Sequence, residues 1–184
     1  SKKFVPHFHI PLQSGTDSIL RRMKRRYDTA LYLSKIEMIN NLMPDCCIGV
    51  DVIVGFPGEG EEDFITTQSF LHNLDISYLH VFTFSERLNT EAANLDNQVS
   101  QEEKAYRSKI MHKLSDEKRY TFQNKFLTQI RPVLFERSLD GINQGYTDNY
   151  IRVHVEADMN YDNRLLEVTL NKNHGTHMNG RVTD

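Results

Sequence analysis

The chain has 184 residues, of which 39% are hydrophobic and 26% are charged, and its formal net charge is −3. These values are ordinary for a globular protein and exclude collagen-like and low-complexity chains. The sequence contains no apolar run long enough to span a membrane and no signal-peptide core, so we expect a cytoplasmic protein with no membrane partner.

The only two cysteines, Cys46 and Cys47, are adjacent and lie within an apolar segment. Neighbouring cysteines offer neither a disulfide framework nor the spacing of metal ligands. We therefore predict buried, reduced thiols at both positions.

Positive charge is concentrated in the first part of the sequence. Residues 1–27 carry seven Lys and Arg against a single Asp, whereas residues 132–184 carry five Lys and Arg against eight Asp and Glu. A polyanionic partner is therefore expected beside the first helix, not drawn by bulk charge to the C-terminal segment. Cations at the end of a helix are also favoured by the helix dipole, so a purely structural role stays open for this cluster.

The first ninety residues alternate between strand patterns and helix patterns. Strands are predicted at 4–12, 46–54 and 78–84, and the second helix is expected to begin with Asp28 or Thr29 as its cap. This order is typical of parallel α/β folds, and three parallel strands are too few for a closed barrel. We therefore expect either a small open sheet or a part of something larger.

The central segment is Gly49–Glu59 (GVDVIVGFPGE), an apolar run that turns abruptly into a glycine-rich loop. Such a run is typical of a strand that is buried on both faces. A glycine-rich turn at the carboxyl end of a parallel strand is where α/β folds place their ligands. The alternative is a plain connection between strand and helix.

The second half of the chain follows a different pattern. Residues 100–130 are helix-prone and highly charged, which predicts one long helix or two helices broken near Ser115. Beyond Pro132 short strands are predicted at 133–137, 150–155 and 165–170, separated by turn residues. Strands of this length over roughly fifty residues indicate a small β-barrel.

Two pairs of histidines have spacings that raise the question of a metal site. His7 and His9 share one face of the first strand, and His174 and His177 lie three residues apart. Neither pair has a cysteine or a carboxylate at ligand spacing. We interpret His7 and His9 as hydrogen-bonded strand residues and expect no zinc at His174 and His177.

Four ordered groups of residues resemble the radical S-adenosylmethionine methylthiotransferases. The segments are 9–15 (HIPLQSG) with 19–27 (ILRRMKRRY), 51–59 (DVIVGFPGE) with 62–64 (EDF), 80–87 (HVFTFSER) with 90–93 (TEAA), and 145–153 (GYTDNYIRV). The last group is similar to the TRAM module, a small RNA-binding β-barrel that ends such enzymes. Its form is closer to enzymes acting on threonylcarbamoyladenosine next to the tRNA anticodon than to those acting on isopentenyladenosine or on a ribosomal protein.

The resemblance implies an α/β fold in three parts. Residues 1–98 would be the C-terminal part of a partial parallel radical S-adenosylmethionine (β/α) barrel, 99–131 a connecting helix or helices, and 132–184 a small all-β TRAM-like barrel. The implied activity adds a methylthio group to C2 of a modified adenosine. The implied partners are a tRNA anticodon stem-loop and a missing N-terminal domain of the same chain.

The same resemblance implies S-adenosylmethionine and two [4Fe–4S] clusters as cofactors. Each cluster needs three cysteine ligands, and the radical cluster takes them from a Cys-x3-Cys-x2-Cys loop. This sequence has no such loop, so neither cluster is expected to be ligated by it. We therefore expect the C-terminal fragment of a longer enzyme, inactive by itself.

Site residues follow from position in the family motifs. Loops at the carboxyl ends of barrel strands face the cofactor, which implies a cofactor pocket formed by Gln13, Ser14, Asp51, Gly55, Phe82, Thr83 and Ser85. Basic and aromatic side chains suit phosphates and loop nucleotides, which implies RNA contacts from Arg21, Arg22, Arg25, Arg87, Tyr146, Asn149, Tyr150 and Arg152. The resemblance assigns no catalytic residue and no metal ligand.

Two other functions remain open at this point. One is a stand-alone RNA-binding protein that uses the β-module and the basic helix without redox chemistry. The other is a different α/β-barrel enzyme that binds a phosphorylated small molecule at the Gly55–Gly58 turn.

Overall fold

The structure, a computed structural model, describes residues 4–85 and 95–183 and divides into two compact units. Unit 1 is formed by Ser1–Phe8, Asp45–Cys47 and Asp116–Asp184, and unit 2 by His9–Pro44 and Ile48–Ser115. None of the helices in the described ranges is long and apolar enough to cross a membrane.

The first half of the chain folds as the predicted alternation of strands and helices. Its elements are β1 (His7–His9), α1 (Asp17–Arg22), α2 (Thr29–Leu42), β2 (Cys47–Val54), α3 (Glu61–Asn73) and β3 (Tyr78–Thr83). The three strands lie in the order β1-β2-β3, and β2 pairs in parallel with β3 from Gly49↔Tyr78 to Val54↔Thr83. The prediction of a small parallel sheet is thus confirmed.

The first strand is shorter than the predicted 4–12 because its prolines interrupt the ladder. Pro6 and Pro11 have no N–H to donate. Beyond β1 the backbone still follows β2, since the N–H groups of Ile10 and Leu12 donate to the carbonyls of Gly49 (2.9 Å) and Asp51 (3.2 Å). Asp28 caps α2, as predicted, by accepting a hydrogen bond from the amide of Leu31 at 2.8 Å.

The two faces of β2 are covered to different degrees. Ile48, Val50, Val52 and Val54 are at most 1% exposed and pack into the helix-covered core. On the opposite face Gly49 is buried, whereas Asp51 and Ile53 are only half-buried. The prediction of a strand buried on both faces is therefore confirmed for one face only, since Asp51 and Ile53 on the other face are half-buried.

The charged segment after β3 forms a single helix, α4 (Gln101–Asn124). The Ser115 hydroxyl accepts a hydrogen bond from the amide of Leu79 and donates one to its carbonyl, both at 2.9 Å. Ser115 therefore attaches the helix to β3 and does not break it. The boundary between the two units falls directly after this residue, and the predicted domain boundaries at residues 98 and 131 stay predictions.

The C-terminal part forms a closed five-stranded barrel, which confirms the predicted small β-barrel. Its strands are β4 (Ile130–Leu139), β5 (Ile142–Thr147), β6 (Arg152–Glu156), β7 (Leu165–Asn173) and β8 (Met178–Val182). They pair in the order β4-β5-β6-β8-β7 and close through β4 and β7. All pairs are antiparallel except β6 with β8.

Strand β5 was not predicted from the sequence because small and polar residues occupy its inward positions. Asn143, Gly145 and Thr147 are buried, while the residues between them point outward. A Cβ on Gly145 would lie 2.3 Å from the carbonyl oxygen of Leu134, so only glycine fits this close strand approach. The Asn143 amide is satisfied inside the barrel, since its oxygen accepts from the amide of Tyr161 at 2.8 Å.

Candidate functional site

The glycine-rich turn after β2 is held by a buried carboxylate. Gly55 and Gly58 have φ values of 73° and 86°, which favour glycine. The Glu59 side chain folds back over the turn, and its Oε1 accepts a hydrogen bond from the Gly55 amide at 2.9 Å. Arg107 of α4 pairs with the same carboxylate and donates to the Glu59 carbonyl at 3.0 Å. Burial raises the pKa of Glu59, and the Gly55 amide and Arg107 oppose that shift.

Lys104, one helical turn before Arg107, gives a second reason for glycine at position 55. Lys104 is 1% exposed, and a Cβ on Gly55 would lie 2.3 Å from its Cγ. Its ammonium lies 5.4 Å from the ring of Phe84 at the end of β3. Sequence reasoning treated α4 as a charged connecting helix and missed both cations. The only available signal was their spacing of three residues, which places them on one face of a helix.

The basic end of α1 lies at the same carboxyl end of the sheet. The Arg22 guanidinium covers Gly58 and donates from Nε to the carbonyl of Pro57 at 3.2 Å. A pocket of about 310 Å³ opens here, lined by Arg22, Met23, Lys24, Arg25, Ile53, Phe56, Phe84 and Leu95. The structure therefore brings two of the predicted RNA-binding arginines beside the turn that was predicted to face the cofactor.

One face of the sheet carries a row of polar and aromatic side chains. Asp51 lies opposite His80 in the β2–β3 register, and His9 of β1 pairs with the Asp51 carboxylate. The rings of His9 and His80 stack with centroids 4.7 Å apart, and Tyr78 contacts His80 edge-on at 5.0 Å. A Cβ on Gly49 would lie 2.4 Å from the Tyr78 ring, so this glycine makes room for the row.

Of the seven residues predicted to face the cofactor, the structure brings Gln13 and Asp51 together, since the Gln13 amide donates to the Asp51 carbonyl at 2.9 Å. Phe82 is exposed and shares the face of Asp51, and Thr83 and Ser85 are exposed near the carboxyl end of β3. Ser14 is fully buried, and its hydroxyl lies within hydrogen-bond distance of Thr67 on α3 at 3.4 Å.

Gln13 is also buried, and it adopts a left-handed backbone conformation with φ of 77°. Two tyrosine hydroxyls hold the segment before it. Tyr27 donates to the carbonyl of Leu12 at 2.9 Å, and Tyr32 donates to that of Ile10 at 2.7 Å. Burial raises the pKa of both phenols, so both stay protonated donors.

The cysteines do not fit an iron–sulfur cluster. Cys46 and Cys47 are buried and reduced, as predicted, and burial raises the pKa of the Cys46 thiol to about 11. Cluster ligands are thiolates, and a cluster of this kind takes more of them than two adjacent cysteines can supply. Within residues 4–85 and 95–183 no group of three or more His, Cys, Asp or Glu side chains is arranged to hold a metal ion.

A second candidate surface is the outer face of the barrel. Tyr146 of β5 and Arg152 of β6 are paired in the β5–β6 register, and the guanidinium lies 5.9 Å from the Tyr146 ring centroid. Tyr150, from the loop between these strands, stacks on Tyr146 at 4.8 Å and on His7 at 4.2 Å. Tyr150 is 51% exposed and has a left-handed φ of 66°. Four planar groups therefore form one column.

The loop that presents Tyr150 is fixed from below. Asn149 is fully buried; its Oδ1 accepts from the Thr147 hydroxyl at 2.7 Å, and its Nδ2 donates to the carbonyl of Asp45 at 3.0 Å. Arg131 binds Asp148 through Nε and Nη2 at 3.0 and 2.8 Å. Predicted residue Arg87 lies outside the described residues.

Comparison with known proteins identifies the family. Residues 2–71 match the model of the radical SAM superfamily. The chain is 32% identical over 177 residues to the threonylcarbamoyladenosine tRNA methylthiotransferase MtaB of Bacillus subtilis, covering 94% of this chain and 39% of that protein. It is 38% identical over 157 residues to the enzyme of the same name from Aquifex aeolicus, covering 85% of this chain and 37% of that protein.

A third relative carries a different substrate in its name. The tRNA-2-methylthio-N(6)-dimethylallyladenosine synthase of Endomicrobium trichonymphae is 34% identical over 168 residues, covering 91% of this chain and 40% of that protein. The chain thus spans about two fifths of the length of these curated relatives. By these matches the chain belongs to the radical S-adenosylmethionine family of tRNA methylthiotransferases.

Proposed function

We propose that the chain is the C-terminal part of a tRNA methylthiotransferase that adds a methylthio group to C2 of N6-threonylcarbamoyladenosine near the anticodon. The observation that carries this proposal is the column of His7, Tyr150, Tyr146 and Arg152 on the outside of the barrel. The substrate is supported by the names of the Bacillus and Aquifex relatives.

In this proposal the barrel is a TRAM-type module that binds the anticodon stem-loop. Loop nucleotides are recognised by stacking on aromatic and guanidinium planes, and each stacked base contributes about 1–3 kcal/mol. Five-stranded barrels of the OB type bind oligonucleotides on their second and third strands. In this barrel those strands are β5 and β6, which carry Tyr146 and Arg152. Asn149 positions Tyr150 and does not touch the RNA.

The carboxyl end of the sheet in unit 2 would form one wall of the cofactor and substrate site. S-adenosylmethionine supplies the radical and the methyl group when it is bound. Asp51 suits its polar groups, and the apolar surface of Ile53 and Phe82 suits its adenosyl group. All three side chains lie on the less covered face of the sheet.

The proposed substrate differs from dimethylallyladenosine in carrying a carboxylate on its threonyl group. The 310 Å³ pocket places Arg25 and Arg22 beside the apolar side chains of Phe56 and Phe84. A guanidinium suits a carboxylate, and aromatic rings suit the base that bears it. The dimethylallyl group has no charge for these arginines to bind, so the pocket favours threonylcarbamoyladenosine.

The clusters that the reaction needs are not ligated by this chain, whose two cysteines are adjacent and buried. Cluster thiolates would have to come from further residues of the same enzyme. We therefore expect the 184 residues to bind RNA and to show no methylthiolation by themselves.

The test of the activity is anaerobic reconstitution of the full-length enzyme with tRNA, followed by mass spectrometry of the nucleosides. The expected product is 2-methylthio-N6-threonylcarbamoyladenosine. Formation of only the dimethylallyl product would refute the substrate, and the absence of any 2-methylthio nucleoside would refute the activity. RNA binding without binding of S-adenosylmethionine would favour the stand-alone RNA-binding alternative.

The role of the arginine pocket has a separate test on the 184-residue chain. Anticodon stem-loops with and without the threonylcarbamoyl group are titrated against wild type and Arg25→Ala. Wild type should prefer the modified stem-loop, and Arg25→Ala should lose that preference. Lys35→Ala, an exposed cation of α2, is the matched control. Equal binding of both stem-loops by wild type would rule out the pocket as the substrate-reading element.

A further inference from the structure

Three histidine rings form a second stack on the barrel, apart from the column that contains Tyr150. His177 lies between His154 and His174, with ring centroids 3.9 Å and 4.9 Å away and interplanar angles of 22° and 12°. All three residues belong to unit 1.

Strand geometry explains how residues distant in sequence reach this stack. On β6 the side chains of Arg152 and His154 point outward while Val153 points into the barrel. Val153 pairs with Met178 of β8, whose side chain is also buried. His177 directly precedes Met178, so it points outward beside the two β6 side chains.

The third ring is held in place by a structured turn. His174 follows β7, and its amide donates to the carbonyl of His177 at 2.9 Å. The Asn173 side chain accepts from the Gly175 amide at 2.7 Å and donates to the carbonyl of Tyr120 at 2.9 Å. The turn is therefore preorganised, and His174 is exposed at its tip.

The stack does not have the arrangement of a metal site. Ring nitrogens lie in the plane of each ring, so nearly parallel rings direct their lone pairs side by side and not toward a common point. Consistent with this, the described residues contain no group of three or more His, Cys, Asp or Glu side chains that could hold a metal ion. The buried Nε2 of His154 has no hydrogen-bond partner in the described part of the chain.

Arg152 links the two stacks into one strip. Its guanidinium lies over Tyr146, and its charge also acts on His154 and His177. The strip thus runs from His7 through the tyrosines and Arg152 to the exposed face of His174. Aromatic planes interleaved with a cation suit single-stranded RNA, because every base has a π-face and every linkage a phosphate.

We propose that the histidine stack is a second base-stacking site, where an unpaired nucleobase of bound RNA packs on the exposed face of His174. The site rests on the proposed function, since it extends the RNA surface of the same barrel. The turn between the fourth and fifth strands, where His174 lies, is also a binding loop in OB-type barrels. His174 is exposed and His177 stacks on one face of its ring, so the opposite face is the one offered to a base.

The test is titration of a fluorescently labelled anticodon stem-loop with wild type, His174→Ala and His174→Phe. His174→Ala should weaken binding roughly five- to hundredfold, the range that one stacked base contributes. His174→Phe keeps a flat ring without a titratable nitrogen, so it should retain affinity within about threefold if stacking is the interaction. His112→Ala, an exposed histidine on α4, is the control and should bind like wild type.

The outcomes separate this inference from the function on which it rests. If Tyr150→Ala weakens binding while His174→Ala does not, the stacking site is wrong and the RNA-binding barrel stands. If wild type does not bind the stem-loop, both are wrong. Loss of binding in His174→Phe as well as in His174→Ala would overturn stacking as the interaction. Thermal unfolding midpoints of both variants close to that of wild type would show that neither substitution disrupts folding.

Discussion

The Arg107–Glu59 pair is the contact on which the glycine-rich turn depends. Both side chains are at most 3% exposed, so removing them from water has a high free-energy cost. The cost is offset because Glu59 also accepts from the Gly55 amide and Arg107 also pairs with Glu103. Deleting one partner therefore leaves an uncompensated charge inside unit 2.

We expect Arg107→Met to lower the free energy of unfolding by about 3–5 kcal/mol, because the Glu59 carboxylate would be buried without its cation. Urea unfolding followed by circular dichroism measures the change. Asp116→Asn breaks the exposed Arg119–Asp116 pair and should cost less than about 1 kcal/mol. A loss for Arg107→Met no larger than that of this control would contradict a stabilising role for the buried pair.

At the residue scale the sequence identifies candidate site residues but does not identify the residues that contact them. Asp51 and Gly55 were singled out from the motif, yet the partners His80 and Lys104 were not. Finding His80 requires the β2–β3 register, and finding Lys104 requires the packing of α4. Both are tertiary facts that residue spacing within one segment does not contain.

At the scale of elements, prediction succeeded where buried positions are apolar. Strand β6 alternates buried Val153 and Val155 with outward polar residues, and its pattern was visible. Strand β5 has the same alternation in space, but its inward positions are Asn143, Gly145 and Thr147. Hydrophobic periodicity cannot detect a strand whose interior face is polar or small.

The histidine stack gives the barrel a pH-dependent stability. Burial lowers the pKa of His154 and His177, and positive charge adds to the shift, mainly from Arg152 at His154 and from the other two histidines at His177. The unfolded chain therefore binds more protons than the folded one once the pH falls below the unfolded value of about 6.5. Stability is fully present above that pH and is lost as the pH falls toward the lowered values.

Thermal unfolding should therefore have a lower midpoint at about pH 5.5 than at about pH 7.5. In the double variant His154→Phe/His177→Phe the difference between these midpoints should shrink, because the two titrating groups are gone. His112→Ala should keep the wild-type difference. An unchanged difference in the double variant would show that carboxylates, and not these imidazoles, set the pH dependence.

At the scale of the whole molecule, the charge balance limits how the proposed RNA partner can be bound. The chain has 22 Lys and Arg against 25 Asp and Glu. Bulk attraction for a polyanion is therefore weak, and affinity must come from placed stacking groups and from local basic clusters such as the end of α1.

These two contributions respond differently to salt. Each phosphate contact adds about −0.7 to the slope of log affinity against log salt for single strands. Arg21→Ala should therefore reduce the magnitude of the slope by about 0.7. Tyr150→Ala should lower affinity by a similar factor at every salt concentration and leave the slope unchanged. A changed slope for Tyr150→Ala, in titrations across a salt series, would contradict the proposal that the ring acts as an uncharged member of the column.

Tyr150 has a left-handed backbone conformation that a tyrosine rarely adopts, and the proposed RNA recognition requires its ring. A side chain with φ of 66° costs on the order of 1 kcal/mol, and asparagine or glycine adopts this conformation more readily. A substitution that relieves this backbone cost therefore also removes the ring that contacts His7 and Tyr146. The conformation that the backbone would prefer and the ring that the proposed RNA surface requires thus compete at one residue, a trade-off between stability and function.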